Sequence, residues 1–233
     1  MAFVHGRNTD ALIGSVDLSA VMKNTDLTIE VDMADTTAYG KSAMTYIPGL
    51  QNGSISLEGM FDTGLSGGDA NLSALIPQVF AVTVGPNGLA IGERAFVAEV
   101  LNTSYAVSDP VGDVVAVTFE GQTTDTAGWG VSLEPLISQS VTANAASVDN
   151  LVTSPGGLVA ALHVSSVTAG NVVVRIQDSA DNSSFTTIAT FATAVNATNQ
   201  VLRIGGTVRR YLRASWTIVT GPATFAVSAR RLP

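Results

Sequence analysis

The sequence predicts a mainly β protein: an antiparallel sheet with one short helix and a long inter-strand loop, followed by a β-sandwich domain. Three observations predict this class. Valine, threonine, alanine, serine and glycine dominate the 233 residues, a composition that suits short strands and tight turns. Apolar and polar residues alternate with a period of two along several segments. Clusters of turn-forming residues separate these segments.

The composition also excludes several classes of protein. Hydrophobic residues make up 46% of the chain and charged residues 13%, so the chain folds around a sizeable core. No apolar run is long enough to predict a transmembrane helix, and residues 1–14 lack the pattern of a secretory signal. The absence of cysteine excludes disulfides, thiolate metal sites and cysteine nucleophiles.

The charge changes sign along the chain. Residues 1–136 carry four basic and sixteen acidic side chains, whereas residues 137–233 carry seven basic and three acidic ones. Such a reversal is typical of separate modules, and Gly128, Gly130 and Pro135 interrupt the periodicity between them. We therefore predict one domain over residues 1–138 and a decoration domain over residues 139–233. The acidic first half argues against DNA gripping, which needs clustered lysine and arginine.

Four segments of the first half alternate clearly and predict strands: 27–34, 54–61, 94–104 and 113–123. Side chains of a strand point alternately to its two faces, so these segments predict an antiparallel sheet with one apolar and one solvated face. The predicted polar face of this sheet carries Thr28, Glu30, Asp32, Ser54, Ser56, Glu58, Thr118 and Glu120.

The connection over residues 35–53 is too long for a hairpin turn and carries large apolar side chains, among them Tyr39, Met44, Tyr46 and Ile47. We expect these side chains to pack against the parent domain or a neighbouring copy. A helix is predicted further along, because Leu72, Leu75, Ile76 and Val79 have helical spacing after the candidate N-cap Asp69. The proline at position 77 predicts that this helix ends near residue 76.

The second half shows short apolar runs at regular spacing, which predict a β-sandwich. The predicted strands are 158–164, 172–177, 185–191, 200–204, 208–219 and 223–231.

Motifs for catalysis are weak. Residues 64–68 match G-x-S-x-G with Ser66 as the nucleophile, but that motif needs a parallel α/β sheet and a later histidine, and the only later histidine is His163. A Gly-Lys-Ser sequence at Lys41 lacks the first glycine of a P-loop, since Asp35 occupies its place. We predict that the chain is not an enzyme and that a loop and a strand-face histidine explain these residues better.

Metal and cofactor sites are not predicted either. His5 and His163 are far apart in sequence and do not make an ordinary zinc site. Asp178, Asp181 and Asn182 offer oxygen ligands for calcium, but the spacing favours a polar turn between strands.

Arginines cluster in the second half at positions Arg209, Arg210, Arg213, Arg230 and Arg231. The nearby aromatic residues Tyr211 and Trp216 leave nucleic-acid binding open. The alternation of a strand would divide these arginines between two faces, so we favour ordinary surface arginines with some paired to the acidic first half.

Several spaced motifs carry a family resemblance. They are LTIEVDM at 27–33, TTAYG at 36–40, YIPGL at 46–50, GSISLEGMF at 53–61, GDVV at 112–115 and FEG at 119–121. Over about residues 8–136 the chain resembles the major tail tube proteins of long-tailed, non-contractile bacteriophages. The segments IQDS at 176–179 and RRYLR at 209–213 look like a β-sandwich appended to some of these proteins.

The resemblance implies that the first half is a tail-tube β-sandwich with a short flanking helix, followed by a second β-sandwich domain. It further implies a hexameric ring that stacks into a tail tube, with inner strands closing a continuous barrel around a lumen. The long loop would reach the adjacent ring, and the polar face named above would line the lumen. The inter-ring residues implied are Thr36, Thr37, Tyr39, Lys41, Met44, Tyr46 and Ile47.

The implied partners are further copies of the chain, a tape-measure protein, and tail terminator or distal tail proteins. DNA would pass through without specific binding, and no membrane or cofactor is involved. The implied location is the virion tail, assembled in the host cytoplasm. Two alternatives remain: a virion or surface module that binds host carbohydrate through Tyr211 and Trp216 of its second sandwich, and a hydrolase acting through Ser66.

Overall fold

The computed structural model describes residues 4–61, 72–125 and 127–233. A short 3₁₀ helix at Gly6–Asn8 precedes the first strand. The strands are β1 Asp10–Ile13, β2 Val16–Asp17, β3 Met22–Asp35, β4 Tyr46–Met60, β5 Val79–Gly85, β6 Arg94–Ser108, β7 Ala116–Thr123, β8 Gly128–Gln139, β9 Ala143–Asn144, β10 Val148–Asp149, β11 Leu158–Val167, β12 Asn171–Ser179, β13 Thr186–Thr190, β14 Thr198–Ile204, β15 Tyr211–Val219 and β16 Ala223–Arg231.

The predicted mainly β class is confirmed, and every predicted strand exists. The sequence reasoning missed β1, β2, β5 and β8 and the two-residue strands β9 and β10. Strand β8 lies where the glycines and Pro135 suggested an interruption of the sheet. Gly130 serves close packing there, since a Cβ at this position would lie 2.2 Å from the carbonyl oxygen of Ala229 on β16.

The short helix is confirmed but is smaller than predicted. One helical turn covers residues 72–74 and a turn follows over residues 75–77, as the proline predicts. Leu72 is fully buried and Leu75 packs beside it, whereas Ile76 is exposed. The assignment of Val79 to the helix is wrong, because this residue begins β5. The predicted cap, Asp69, lies outside the described residues.

The predicted loop over residues 35–53 is wrong in its extent. Residues 46–53 belong to β4 and pair with β3, from Asp35 opposite Tyr46 to Ile29 opposite Gly53. A bulge between Val31 and Met33 absorbs the Pro-Gly sequence that suggested a loop. The true loop therefore spans only residues 36–45, at the tip of a long two-stranded arm.

The first half is built from two layers that share β6. Residues 94–101 of this strand pair with β5 and β8, and residues 100–108 pair with β7. Strands β3, β4, β7 and the far part of β6 make a four-stranded antiparallel sheet. The core between the layers includes Phe80 and Phe119, whose ring centroids lie 5.6 Å apart, with Ile13, Ile55 and Phe96 also buried.

The second half packs the five-stranded sheet against β16, β11 and β14. Trp216 and Phe225 meet edge to face in this core, with ring centroids 5.4 Å apart. Strand β8 pairs with both β6 and β16, so the two halves share one eleven-stranded sheet.

That large sheet curls until β5 meets β11 and β14. Small side chains allow the approach: Ala81, Val97 and Ala161 pack together, and the backbone N–H of Ala81 donates to Asn199 Oδ1 at 2.8 Å. The division into two domains at residue 138 stays a prediction. The contacts of Ala81 and Val97 with Ala161 and Asn199 connect the two predicted domains.

A buried polar chain also crosses between the halves. Because the Gly14 carbonyl oxygen can only accept, His163 donates to it from Nδ1 at 2.7 Å. His163 Nε2 then accepts from the Thr83 hydroxyl at 2.8 Å, and Ser228 donates to the Thr83 oxygen at 2.7 Å. Burial lowers the pKa of His163 to about 4 from an ordinary value of 6.5, so the ring is neutral at pH 7.

We expect the free energy of unfolding to depend on pH through His163. Between pH 6.5 and about 4 the unfolded chain binds a proton that the folded chain does not. Stability is therefore full above pH 6.5 and falls, by on the order of 3 kcal/mol, as pH drops through this window. The His163→Gln variant should not show this decrease in the free energy of unfolding. Denaturant unfolding of both proteins at pH 7 and pH 4.5 measures the difference, and equal losses in the two proteins would contradict the assignment.

Candidate assembly surface

The arm formed by the far ends of β3 and β4 is exposed on both of its faces. Met33 is 69% exposed and Leu50 is 81% exposed, values unusual for large apolar side chains in paired strands. An isolated two-stranded ribbon is marginally stable in water. Its apolar side chains therefore make the arm a candidate surface for contact with another molecule.

One face of the arm continues the core. Leu27 and Ile55 are opposite each other and pack on the buried cluster of the first half. Ile29 and Val31 follow Leu27 on the same face, at two-residue steps, but are exposed. An apolar stripe thus leaves the core and runs out along β3 with no cover from the described part of the chain.

The seven residues predicted for inter-ring contact all lie at the far end of the arm. Tyr46 and Ile47 start β4, and the other five lie in the loop of residues 36–45 or beside it. The loop is ordered by short contacts: the Thr36 N–H donates to the Thr45 carbonyl at 2.8 Å, and the Thr45 N–H donates to Thr37 Oγ1 at 2.9 Å. Hydrogen bonds from Thr37 lower the pKa of Asp35, which keeps a negative charge at the tip.

Seven of the eight residues predicted to line a lumen, all except Asp32, share one face of the four-stranded sheet. In register across the strands, Thr28 lies opposite Ser54, and Glu58 lies opposite Thr118. Ser56 lies opposite Glu120 in the same manner. Asp32 sits in the bulge, where no partner fixes its face. Their role as a lumen lining stays a prediction.

The same sheet has an open edge on each side. Within the described residues, β3 pairs with β4 alone over its whole length. On the other side, β5 covers β6 only as far as Leu101, and the end of β6 over residues 106–108 pairs with β7 alone within the described residues. Open edges present unpaired N–H and C=O groups that can accept a strand from another chain.

The residues considered for catalysis and metal binding do not come together. Ser66 lies outside the described residues, and His163 is buried with both ring nitrogens bonded. His5 is exposed near the start of the chain. Within the described ranges, no cluster of three or more acidic or histidine side chains could hold a metal ion.

The acidic turn in the second half is explained by internal bonds. Asp178 is buried and accepts from Arg209 Nε at 2.9 Å. Asp181 accepts from the backbone N–H groups of Ser183 and Ser184, which lower its pKa to about 2. These bonds support the turn interpretation.

Arg210, Arg213 and Arg231 of the arginine cluster also make contacts within the chain. Arg210 forms two hydrogen bonds to Asp149, at 2.7 and 2.6 Å, which lower the pKa of that carboxyl to about 2. Arg231 donates to backbone carbonyls of a neighbouring loop, and Arg213 lies over the ring of Phe185 at 3.8 Å. Arg203, which lies outside this cluster, forms an ion pair with Asp125 of the first half, at 2.6 Å.

The aromatic residues proposed for carbohydrate binding do not form an open platform. Trp216 is buried and its Nε1 donates to the Val141 carbonyl at 2.9 Å. Arg210 lies over the Tyr211 ring at 5.1 Å. The exposed tryptophan is Trp129, which the sequence reasoning missed and which carries the Arg94 guanidinium 4.5 Å from its ring centroid.

A groove of about 560 Å³ runs between the first part of β3 and the start of the chain. It combines apolar and charged side chains, including Arg7, Met22, Lys23, Leu27 and Val84. No helix in the described part of the chain has the length and hydrophobicity needed to cross a membrane.

Comparisons with known proteins find likeness in solved structures alone. No family model matches the chain. No curated protein matches it either. Among solved structures, the chain is similar to one in the virion of a native gene transfer agent particle, with a TM-score of 0.44, 12% identity, and 54% of this chain and 97% of that chain covered.

Two further solved structures show weaker likeness. A chain from the tail of an empty gene transfer agent particle, described with C6 symmetry, gives a TM-score of 0.39 at 12% identity, covering 47% of this chain and 81% of that one. The SPP1 Dit protein, described as a paradigm of the hub adsorption apparatus in phages infecting Gram-positive hosts, gives 0.39 at 14% identity, covering 97% and 99%. Scores this low describe partial likeness of shape, so the functional argument rests on the surfaces of the chain.

We expect the arm to be dispensable for folding and required for assembly. Replacing Tyr46 and Ile47 together by aspartate should leave the melting temperature nearly unchanged, because both side chains are exposed. Contacts between copies should be lost, since burying unpaired charges costs several kcal/mol. Val152→Asp with Val195→Asp, at exposed valines outside the arm, is the matched control. Normal assembly of the arm variant, measured by sedimentation, would contradict this role.

Proposed function

We propose that the chain is a structural protein of a phage-type tail, whose copies pair edge to edge into a ring. The observation that carries the proposal is the four-stranded sheet with an open edge on both sides. In this sheet β3 and β6 run in opposite directions, because each neighbouring pair is antiparallel. Copies related by rotation about an axis would therefore bring β6 of one beside β3 of the next as a further antiparallel pair. Such a heterologous contact closes into a ring and removes both free edges.

The finer proposal is a hexameric ring that stacks into a tail tube, as the sequence resemblance implies. The exposed arm supports stacking, because it is long, ends in the apolar side chains Met44, Tyr46 and Ile47, and projects from the sheet that would form the ring. The tape-measure protein, the tail terminator and distal tail proteins are partners within this proposal. The proposed location is the virion tail.

The tube would conduct DNA along its polar inner wall. Where Ile55, Leu57 and Phe119 lie, the apolar face of the four-stranded sheet is buried in the core, so in a closed ring the opposite face is free to line a lumen. That face carries Glu30, Glu58 and Glu120 with hydroxyl side chains between them. Carboxylates repel phosphate within a screening distance of ~8 Å at physiological salt, so DNA would slide without specific binding.

Imaging of the purified protein by negative-stain electron microscopy tests the proposal. We expect rings or stacked tubes, with ring mass confirmed by light scattering. Single rings without stacks would support ring formation and count against the tube, leaving a hub of one ring. Isolated monomers at all concentrations would overturn the proposal, because the open edges would then remain unpaired.

The lumen assignment makes a separate prediction. Changing Glu30 and Glu58 to lysine should leave tails of normal length but slow DNA ejection, most strongly at low salt, where phosphate attraction is greatest. The matched glutamine variants remove the negative charges without adding positive ones and should show an intermediate effect. Ejection kinetics measured from particles shown to carry the variant subunits decide the matter. Unchanged rates for the lysine variant at low salt would place this face outside the lumen.

A further inference from the structure

The turn between β6 and β7, residues 109–115, is an exposed acidic and apolar tip. Its sequence is Asp-Pro-Val-Gly-Asp-Val-Val, with two acidic and no basic residues. Val111 is fully exposed, Val114 is half exposed, and Asp109 and Asp113 are exposed beside them. An apolar side chain held between two carboxylates is suited to a partner with an apolar floor and basic walls.

The groove beside β3 is lined by two basic side chains, Arg7 and Lys23, and one acidic residue, Asp26, so its charged lining is basic on balance. Its apolar lining includes Ala11, Leu27 and Val84. Within the described residues, neither basic side chain forms an ion pair. A volume of about 560 Å³ lies in the range of sites that enclose an inserted group.

The tip and the groove lie on opposite edges of the four-stranded sheet, at the same position along the strand direction. Across the strands, Val107 is opposite Val117, which is opposite Gly59, which is opposite Met22. The tip begins two residues beyond Val107, and Met22 lies at the rim of the groove. The two features are therefore too far apart to meet within one chain but are aligned for contact between adjacent copies.

We propose that the tip of one copy docks in the groove of the next copy, with Val111 on the apolar floor and Asp109 and Asp113 beside Arg7 and Lys23. The occupant of the groove is thus a second copy of this chain. This inference rests on the proposed ring and deepens it by naming the contact that orients adjacent subunits. Charge complementarity would fix which edge meets which, since two acidic tips or two basic grooves repel each other.

Cysteine cross-linking tests the contact, and the chain suits the method because it contains no cysteine. The double variant Val111→Cys and Thr25→Cys places one thiol on the tip and one on the groove wall. On oxidation we expect a ladder of covalent oligomers that stops at the number of subunits in the ring. Val195→Cys with Thr25→Cys is the control, because Val195 is exposed in the second half of the chain.

Imaging before oxidation separates the two proposals. Rings with a ladder support the docking contact. Rings without a ladder, or with an equal ladder in the control, overturn the docking contact and leave the proposed function standing. An absence of rings from the unsubstituted protein overturns both.

Charge reversal gives an independent measurement. Arg7→Glu with Lys23→Glu, or Asp109→Lys with Asp113→Lys, should each raise the concentration needed for ring assembly by at least about tenfold. Combining all four changes should restore assembly, because the charges are again opposite. A combined variant no better than either pair alone would overturn the proposal.

Discussion

Strand β6 is the element on which the first half of the protein depends, because it belongs to two layers of the fold. Its first part pairs with β5 and β8, and its second part pairs with β7. A bulge between Asn102 and Ser104 lies where the strand passes from one set of partners to the other. The Ser104 N–H donates to Asn102 Oδ1 at 3.1 Å, which gives a buried side chain a role in this bulge. One strand thereby closes the core that contains Phe80 and Phe119.

The same arrangement leaves edge strands on the four-stranded sheet. Strand β5 stops pairing at Leu101, so the far part of β6 extends beyond it, and within the described residues β3 pairs with β4 alone. Soluble proteins avoid long open edges because such edges recruit other strands. In this chain the edges flank a sheet with a buried apolar face and a solvated acidic face. A buried apolar face and a solvated acidic face favour pairing between copies through the strand edges. The acidic face can then remain in water when a strand of another copy pairs with either edge.

Local patterns in the sequence predicted the faces of the strands well, because side-chain direction in a strand depends only on period two. The polar set from Thr28 to Glu120 falls on one face except Asp32, whose position in a bulge the alternation does not reveal. The same rule failed for residues 46–53, where Pro48 and Gly49 resemble a loop but belong to β4, in which Gly49 and Leu50 bulge opposite Asp32. The helical spacing that ended at Val79 was equally compatible with the start of a strand.

Contacts between distant segments were beyond the reach of these patterns. Single hydrogen bonds in the chain from Gly14 to His163, Thr83 and Ser228 join residues up to 149 positions apart, and no local signal marks these residues as neighbours. The alternation correctly put His163 on a strand but did not reveal its buried partners. The groove and the acidic tip are likewise products of topology, since β3 and β6 become opposite edges only after β4 and β7 pair between them.

The buried contacts between the halves constrain any role for residues 139–233. Removing that segment would expose the β16-facing edge of β8, uncover Ala81 and Val97, and leave the Thr83 hydroxyl without His163 and Ser228. Buried polar groups that lose a partner cost about 1–3 kcal/mol each. That residues 139–233 form a second domain therefore stays a proposal. If they do, the shared sheet holds this domain in a fixed orientation on the first half. In a ring built by the four-stranded sheet, the second halves would then be carried as a rigid part of each subunit, so their spacing would follow from the ring contacts.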